Sequence, residues 1–258
     1  MADPRLSDQL AQIMSRARQC GLRGFLQGGI GPEDWLRQER LQKTYPEIIS
    51  CFGLHPYWVV DHTSSECDGA LDILATKLHL SAGIGEMGLD FRSHFSKDSH
   101  ERQLDCFEKQ IDLAKMCQRP MVLHLVRAFD QAVRVFEMHG VPASGGMVHS
   151  FNGASTEAQV YLDLGLHLSV GGPLLRSNSA RLRQALQIIP IEKILLETDS
   201  PDQPPPSHQD TFNEPSTLLA VADAVAKIKG LSKIEVLNQC TKNLAKLFSL
   251  PLKPSVRS

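Results

Sequence analysis

A chain of 258 residues carries 27 basic and 29 acidic side chains, a formal net charge of −2, with 42% hydrophobic and 22% charged residues. That composition belongs to a globular protein long enough to bury its core without disulfide staples, and it excludes a global basic field for non-specific nucleic-acid binding. No apolar stretch approaches the roughly 20 residues that cross a bilayer, and the start is polar and charged rather than signal-like, so no membrane partner and a cytoplasmic location are expected.

The elements read in order as an alternation. Residues 6–20 place Leu6, Leu10, Ile13 and Met14 on one helical face, closed by Gly21. A strand over 22–27 follows, then a helix opening at Pro32-Glu33-Asp34 and a strand over 47–54 that runs into His55-Pro56. A helix over 67–78, a strand over 80–86 and a long amphipathic helix over 98–117 come next. Strands are predicted at 120–124, 146–149, 166–171 and 193–197, separated by helices at 127–138, 155–164 and 178–188. A Pro-rich loop, 201–210, precedes two last helices, 214–229 and 232–248.

Repeated βα units imply parallel strands with right-handed crossovers, so the expected fold is a TIM-type (β/α) barrel forming one domain over 1–258. Seven strands are readable where a closed barrel has eight. The chain opens on a helix, so the missing strand should be the first, leaving two strand edges unpaired. The six cysteines (Cys20, Cys51, Cys67, Cys106, Cys117, Cys240) are scattered without a CxxC pair, which predicts reduced, mostly buried thiols.

Four of the apolar runs end on a residue that binds metals: Glu86 in GIGEMGLDF, His124 in MVLHLVRAF, His149 in GMVHSFNG and Asp199 in ILLETDSPD. A βα-barrel presents its chemistry at the C-terminal ends of its strands. Four such residues in chain order point to a divalent-metal hydrolase. A buried Glu86 is costly unless paired or metal-bound, whereas Asp199 has a plainer reading as a helix cap. Arg92, Arg127 and Arg176 lie just beyond predicted strand ends, where a guanidinium can hold a phosphate bidentately. Phe91, Phe129 and Phe151 sit similarly; core packing is the expected role, with base stacking the alternative. The histidines His62, His79, His94, His100, His139, His167 and His208 have no metal-ligand spacing and are expected to be surface or filler.

These motifs, with FGLHP (52–56), NEP (213–215) and KNLAKLF (242–248), resemble the TatD family of metal-dependent DNases, within the amidohydrolase-like barrels, over residues 6–249. The resemblance implies a hydrolase that trims DNA ends in the manner of a 3′-5′ exonuclease, with single-stranded or frayed DNA as substrate and no obligate protein partner. It implies two divalent ions (Zn, Mn or Mg): Glu86 as bridge, His124 and His149 completing one site, and Asp199 serving the other while acting as general base toward water. It places His55 beside the metals, against substrate phosphate. Family members also begin with a strand carrying His-x-His, two further ligands, and that motif is absent here. The expectation is therefore that this chain holds about one ion and cleaves DNA poorly. The alternatives are a hydrolase of a small ester or amide, and an impaired relative that acts as a binding or scaffold protein.

Overall fold

The computed structural model describes residues 1–206 and 212–251. The strands are β1 (Phe25–Gly28), β2 (Ile48–Cys51), β3 (Ile84–Asp90), β4 (Met121–Val126), β5 (Gly146–Val148), β6 (His167–Val170) and β7 (Ile194–Leu196). The helices are α1 (Leu10–Gln19), α2 (Pro32–Thr44), α3 (Pro56–Val60), α4 (Ser64–Lys77), α5 (Lys97–Met116), α6 (Phe129–His139), α7 (Ser155–Asp163), α8 (Ala180–Ile188), α9 (Leu218–Lys229) and α10 (Lys233–Leu247). Every ladder is parallel and joins neighbours in chain order: β1 with β2, then β3 through β7. A single parallel bridge, Phe52 to Ile84, links the two groups. The result is the TIM-type wall of seven strands with helices outside.

Among the described residues no ladder joins β7 to β1. The N-terminal segment lies along that side. Leu10, Met14 and Ala17 of α1 pack on Phe25 of β1 and Ile48 of β2. Arg5 reaches Asp202 at 2.8 Å, and Arg16 reaches Glu214 at 2.6 Å, both beyond β7. At the opposite end of the strands from the site, the inward Cys51, Val122, Met147 and Leu195 cluster with Phe248, Leu244 and Leu247 after and within α10. Asn243 of the same helix donates to the carbonyls of Ile191 and Ile194, both at 2.8 Å. The KNLAKLF stretch is thus a plug for the barrel floor and a clamp on β7.

One expectation needs correction. The strand predicted over 80–86 runs from Ile84 to Asp90, so Glu86 lies inside a strand rather than at its end. The reason is a register shift between Ile84 and Met87. Ile84, Met87 and Leu89 all face the helix-side core, so the strand accommodates an extra residue and turns Glu86 to the barrel interior. A short helix, α3, follows the His55-Pro56 step, and His55 caps it by accepting from the Tyr57 N–H. Phe151 is buried, Phe91 stacks on His100 at 4.1 Å and Phe129 meets Tyr161 edge-on, so all three phenylalanines serve packing. The six cysteines are unpaired, four of them buried. His208 lies outside the described residues. No helix among those described is long and apolar enough to cross a membrane.

Gly88 shows how closely β3 and β4 approach. Its φ is +144°, and a Cβ there would lie 2.1 Å from the His124 carbonyl oxygen. Gly88→Ala is expected to destabilise the fold by about 2–5 kcal/mol through combined backbone strain and overpacking. Denaturant unfolding checks this, and an unchanged midpoint would contradict the observed register.

Candidate metal centre

The interior alternation of β3 sends Glu86, Gly88 and Asp90 to one face, and the absence of a side chain at Gly28 leaves room for Glu86. His124 comes from the fourth position of β4, His149 from the residue after β5, and Asp199 from the loop after β7. The structure brings these four together. Glu86 Oε1 lies 2.9 Å from His124 Nδ1 and 3.6 Å from His149 Nε2, which in turn is 3.4 Å from Asp199 Oδ1. Asp199 does not cap a helix; it adopts a left-handed conformation, with φ 58°.

Two carboxylates absent from the sequence-based site, the buried Asp90 and the partly buried Glu197, set the orientation of the rings. Asp90 Oδ2 lies 3.3 Å from His124 Nε2, and Glu197 Oε2 lies 2.8 Å from His149 Nδ1. Each carboxylate can accept the ring N–H that faces it, and with an ion bound that tautomer turns the lone pairs of His124 Nδ1 and His149 Nε2 toward Glu86. Acceptors aimed at one another require positive charge between them. Glu197 Oε1 adds to that requirement, being buried with no hydrogen-bond donor among the described residues. Among the described residues Glu86, His124 and His55 stand at mutual ligand spacing, and His149 Nε2 lies 3.6 Å from Glu86 Oε1, so the cluster offers nitrogen and oxygen donors that fit a divalent ion. For Asp90 the strand alternation of β3 was an available signal, since it sits four residues from Glu86 on the same face; Glu197 lies past the end of β7 and had none.

His55 joins the cluster by a different route. Its Nε2 lies 3.2 Å from His124 Nδ1 and 3.5 Å from Glu86 Oε1, within ligand spacing. Its Nδ1, however, accepts the Tyr57 backbone N–H at 3.0 Å. Neutral His55 therefore carries its proton on Nε2, which makes it a donor into the centre rather than a ligand.

Without an ion, protons supply the positive charge that the cluster requires, because the surrounding carboxylates favour the protonated form of both rings, His124 and His149. Burial would push the Glu86 carboxyl up, but His149, His124 and His55 hold it well below the usual carboxylate range. Burial would lower His149, and the charges of Glu197 and Glu86 outweigh it, keeping that ring well above the ordinary imidazole value. For His124 burial is likewise outweighed, by Asp90 and Glu86. For His55 burial wins over Glu86 and lowers the value, which favours the neutral donor.

The arginines divide. Arg92 is committed to the fully buried Asp90, with contacts of 2.7–3.0 Å from Nε and Nη2, so it is not free to take a phosphate at that edge. Arg127 and Arg176 are exposed, and among the described residues neither touches the cluster. Gln203 Nε2 donates to Asp199 Oδ2 at 2.5 Å, and Asn213 Nδ2 donates to the Thr198 carbonyl at 2.5 Å, so the NEP stretch secures the Asp199 loop. Deeper support comes from α5: Gln103 bonds the Asp90 backbone in both directions, and Gln110 does the same for Leu54.

A model of the family described as TatD related DNase matches residues 2–249. The chain belongs to the TatD family. The "Uncharacterized metal-dependent hydrolase YabD" of Bacillus subtilis is 28% identical over 241 residues, covering 93% of each chain. The "3'-5' ssDNA/RNA exonuclease TatD" of a Rahnella species is 31% identical over 245 residues, covering 93% of this chain and 92% of the relative. The crystal structure of YjjV, a TatD homologue from Escherichia coli, superposes with a TM-score of 0.88 at 28% identity, covering 96% of this chain and 95% of that one. TatD membership makes this chain a metal-dependent hydrolase by family, with the Glu86 cluster as its candidate centre.

Within that centre, Glu197→Gln tests ring orientation. An amide can present its NH2 to His149 and favour the wrong tautomer, so metal affinity is expected to fall about 10–100-fold. Competition against a fluorescent chelator measures it. Unchanged affinity would mean that Glu197 does not orient His149.

Proposed function

We propose that this TatD-family chain is a divalent-metal-dependent phosphodiesterase that removes nucleotides from the ends of single-stranded nucleic acid. The observation that carries this reading is the convergence of Glu86 Oε1 with the ring nitrogens of His124 and His149, each ring backed by its own carboxylate. Glu86, His124 and His149 would hold one ion. A bound divalent ion supplies Lewis acidity to a phosphoryl oxygen and lowers the pKa of water. Asp199 is 29% exposed, and Gln203 fixes its Oδ2, so Oδ1 is the oxygen placed to take a proton from an attacking water. His55 donates its Nε2–H toward a phosphoryl oxygen. Arg127 and Arg176 are exposed guanidiniums for the incoming backbone, while Arg92 holds Asp90 in place. The names of the exonuclease relatives support the substrate class.

The test uses protein stripped with chelator and reloaded separately with Zn, Mn or Mg. Trimming of single-stranded DNA and RNA is followed beside cleavage of a small phosphodiester, with metal stoichiometry from elemental analysis. Metal-restored trimming, with about one ion per chain, is expected. Cleavage indifferent to chelation would defeat the metal reading, and turnover of the small ester without the oligonucleotides would defeat the nuclease reading.

A further inference from the structure

Tyr57 has no part in the centre described above except through its backbone, yet its side chain stands at the edge of it. The ring is 42% exposed, unusual for an aromatic that touches a buried polar cluster. Its centroid lies 4.6 Å from His55 and 5.9 Å from His124, both edge-on. Phe95 lies 5.9 Å away at 46° and extends the aromatic surface outward. The ring is also held from behind. The Arg92 guanidinium carbon sits 5.3 Å from its centroid, Arg92 Nη2 bonds the Tyr57 hydroxyl, and Arg92 is itself fixed on Asp90. One continuous set of contacts therefore runs from His124 through Asp90 and Arg92 to the tyrosine ring. An exposed aromatic held by an arginine that is itself fixed on a buried carboxylate has given up rotamer freedom in advance, which is what an efficient stacking surface needs.

We infer that Tyr57, extended by Phe95, is the platform on which the terminal nucleobase of the substrate stacks while its phosphate enters the Glu86 cluster. A base and its own phosphate are separated by one sugar, and the ring borders His55 and His124 directly. Stacking is tolerant of base identity, so the platform predicts a preference for an end that bears a base, not for a sequence. This inference rests on the nuclease reading.

The experiment compares kcat/KM on two single-stranded oligonucleotides that differ only in having a base or an abasic sugar at the terminal position. Wild-type, Tyr57→Phe, Tyr57→Ala and Phe95→Ala proteins are used, each checked for fold by circular dichroism. Wild type should prefer the base-bearing end. Tyr57→Ala should lose about tenfold of that preference, Tyr57→Phe should keep most of it, and Phe95→Ala should fall between. Fluorescence anisotropy with labelled tetrathymidylate provides a readout independent of turnover, with Kd for Tyr57→Ala rising by a similar factor. Preference and Kd unchanged in Tyr57→Ala would overturn the platform while leaving the nuclease reading intact. Failure of the wild type to cleave either end would overturn the nuclease reading, and this inference with it.

Discussion

Glu86→Gln is expected to abolish stoichiometric metal binding and to reduce hydrolysis by at least about 10³-fold. Glu86 is the shared element of the cluster: His124 Nδ1, His55 Nε2 and His149 Nε2 all lie within 2.9–3.6 Å of its Oε1. Glutamine keeps the shape that fits beside Gly28 and removes the negative charge. The two ring lone pairs then have no anion with which to share a cation, and three imidazoles are left crowded around a neutral amide. Protein purified with and without added Zn, Mn or Mg, analysed for bound metal and for oligonucleotide trimming, decides the matter. A variant that still carries one ion per chain would show that Glu86 is not the central ligand.

Asp199→Asn is expected to separate chemistry from binding. The proposed ion site relies on Glu86, His124 and His149, so the variant should retain its metal, while kcat falls by about 10²–10⁴-fold through loss of the proton acceptor. The asparagine still receives the Gln203 amide at the carbonyl position, so the loop should keep its shape. Measured at saturating metal, kcat should drop with little change in the metal dissociation constant. Loss of the ion in step with activity would make Asp199 primarily a ligand and would remove it from the role of base.

Much of the architecture was legible because its signals are local. Apolar runs of strand length alternate with helix-period stretches, so seven parallel strands and the chain order of Glu86, His124, His149 and Asp199 could be read without tertiary knowledge. Hydrophobic periodicity depends only on neighbours within a few residues. What required the fold were contacts across strands. The extra residue in β3 that moves Glu86 off the strand end depends on pairing with β4. The pairing of Asp90 with His124 spans 34 residues, and that of Glu197 with His149 spans 48. Arg92 had the same strand-end signature as Arg127, and only the fold shows that its Nε and Nη2 are engaged by the buried Asp90 beside it. The aromatics divide in the same way: Phe151 disappears into the core, whereas Tyr57 is left exposed beside the cluster. Side-chain type and strand position determine which chemistry is available; which groups are desolvated, paired or left facing the site is decided by packing between segments far apart in the chain, and no local pattern encodes it.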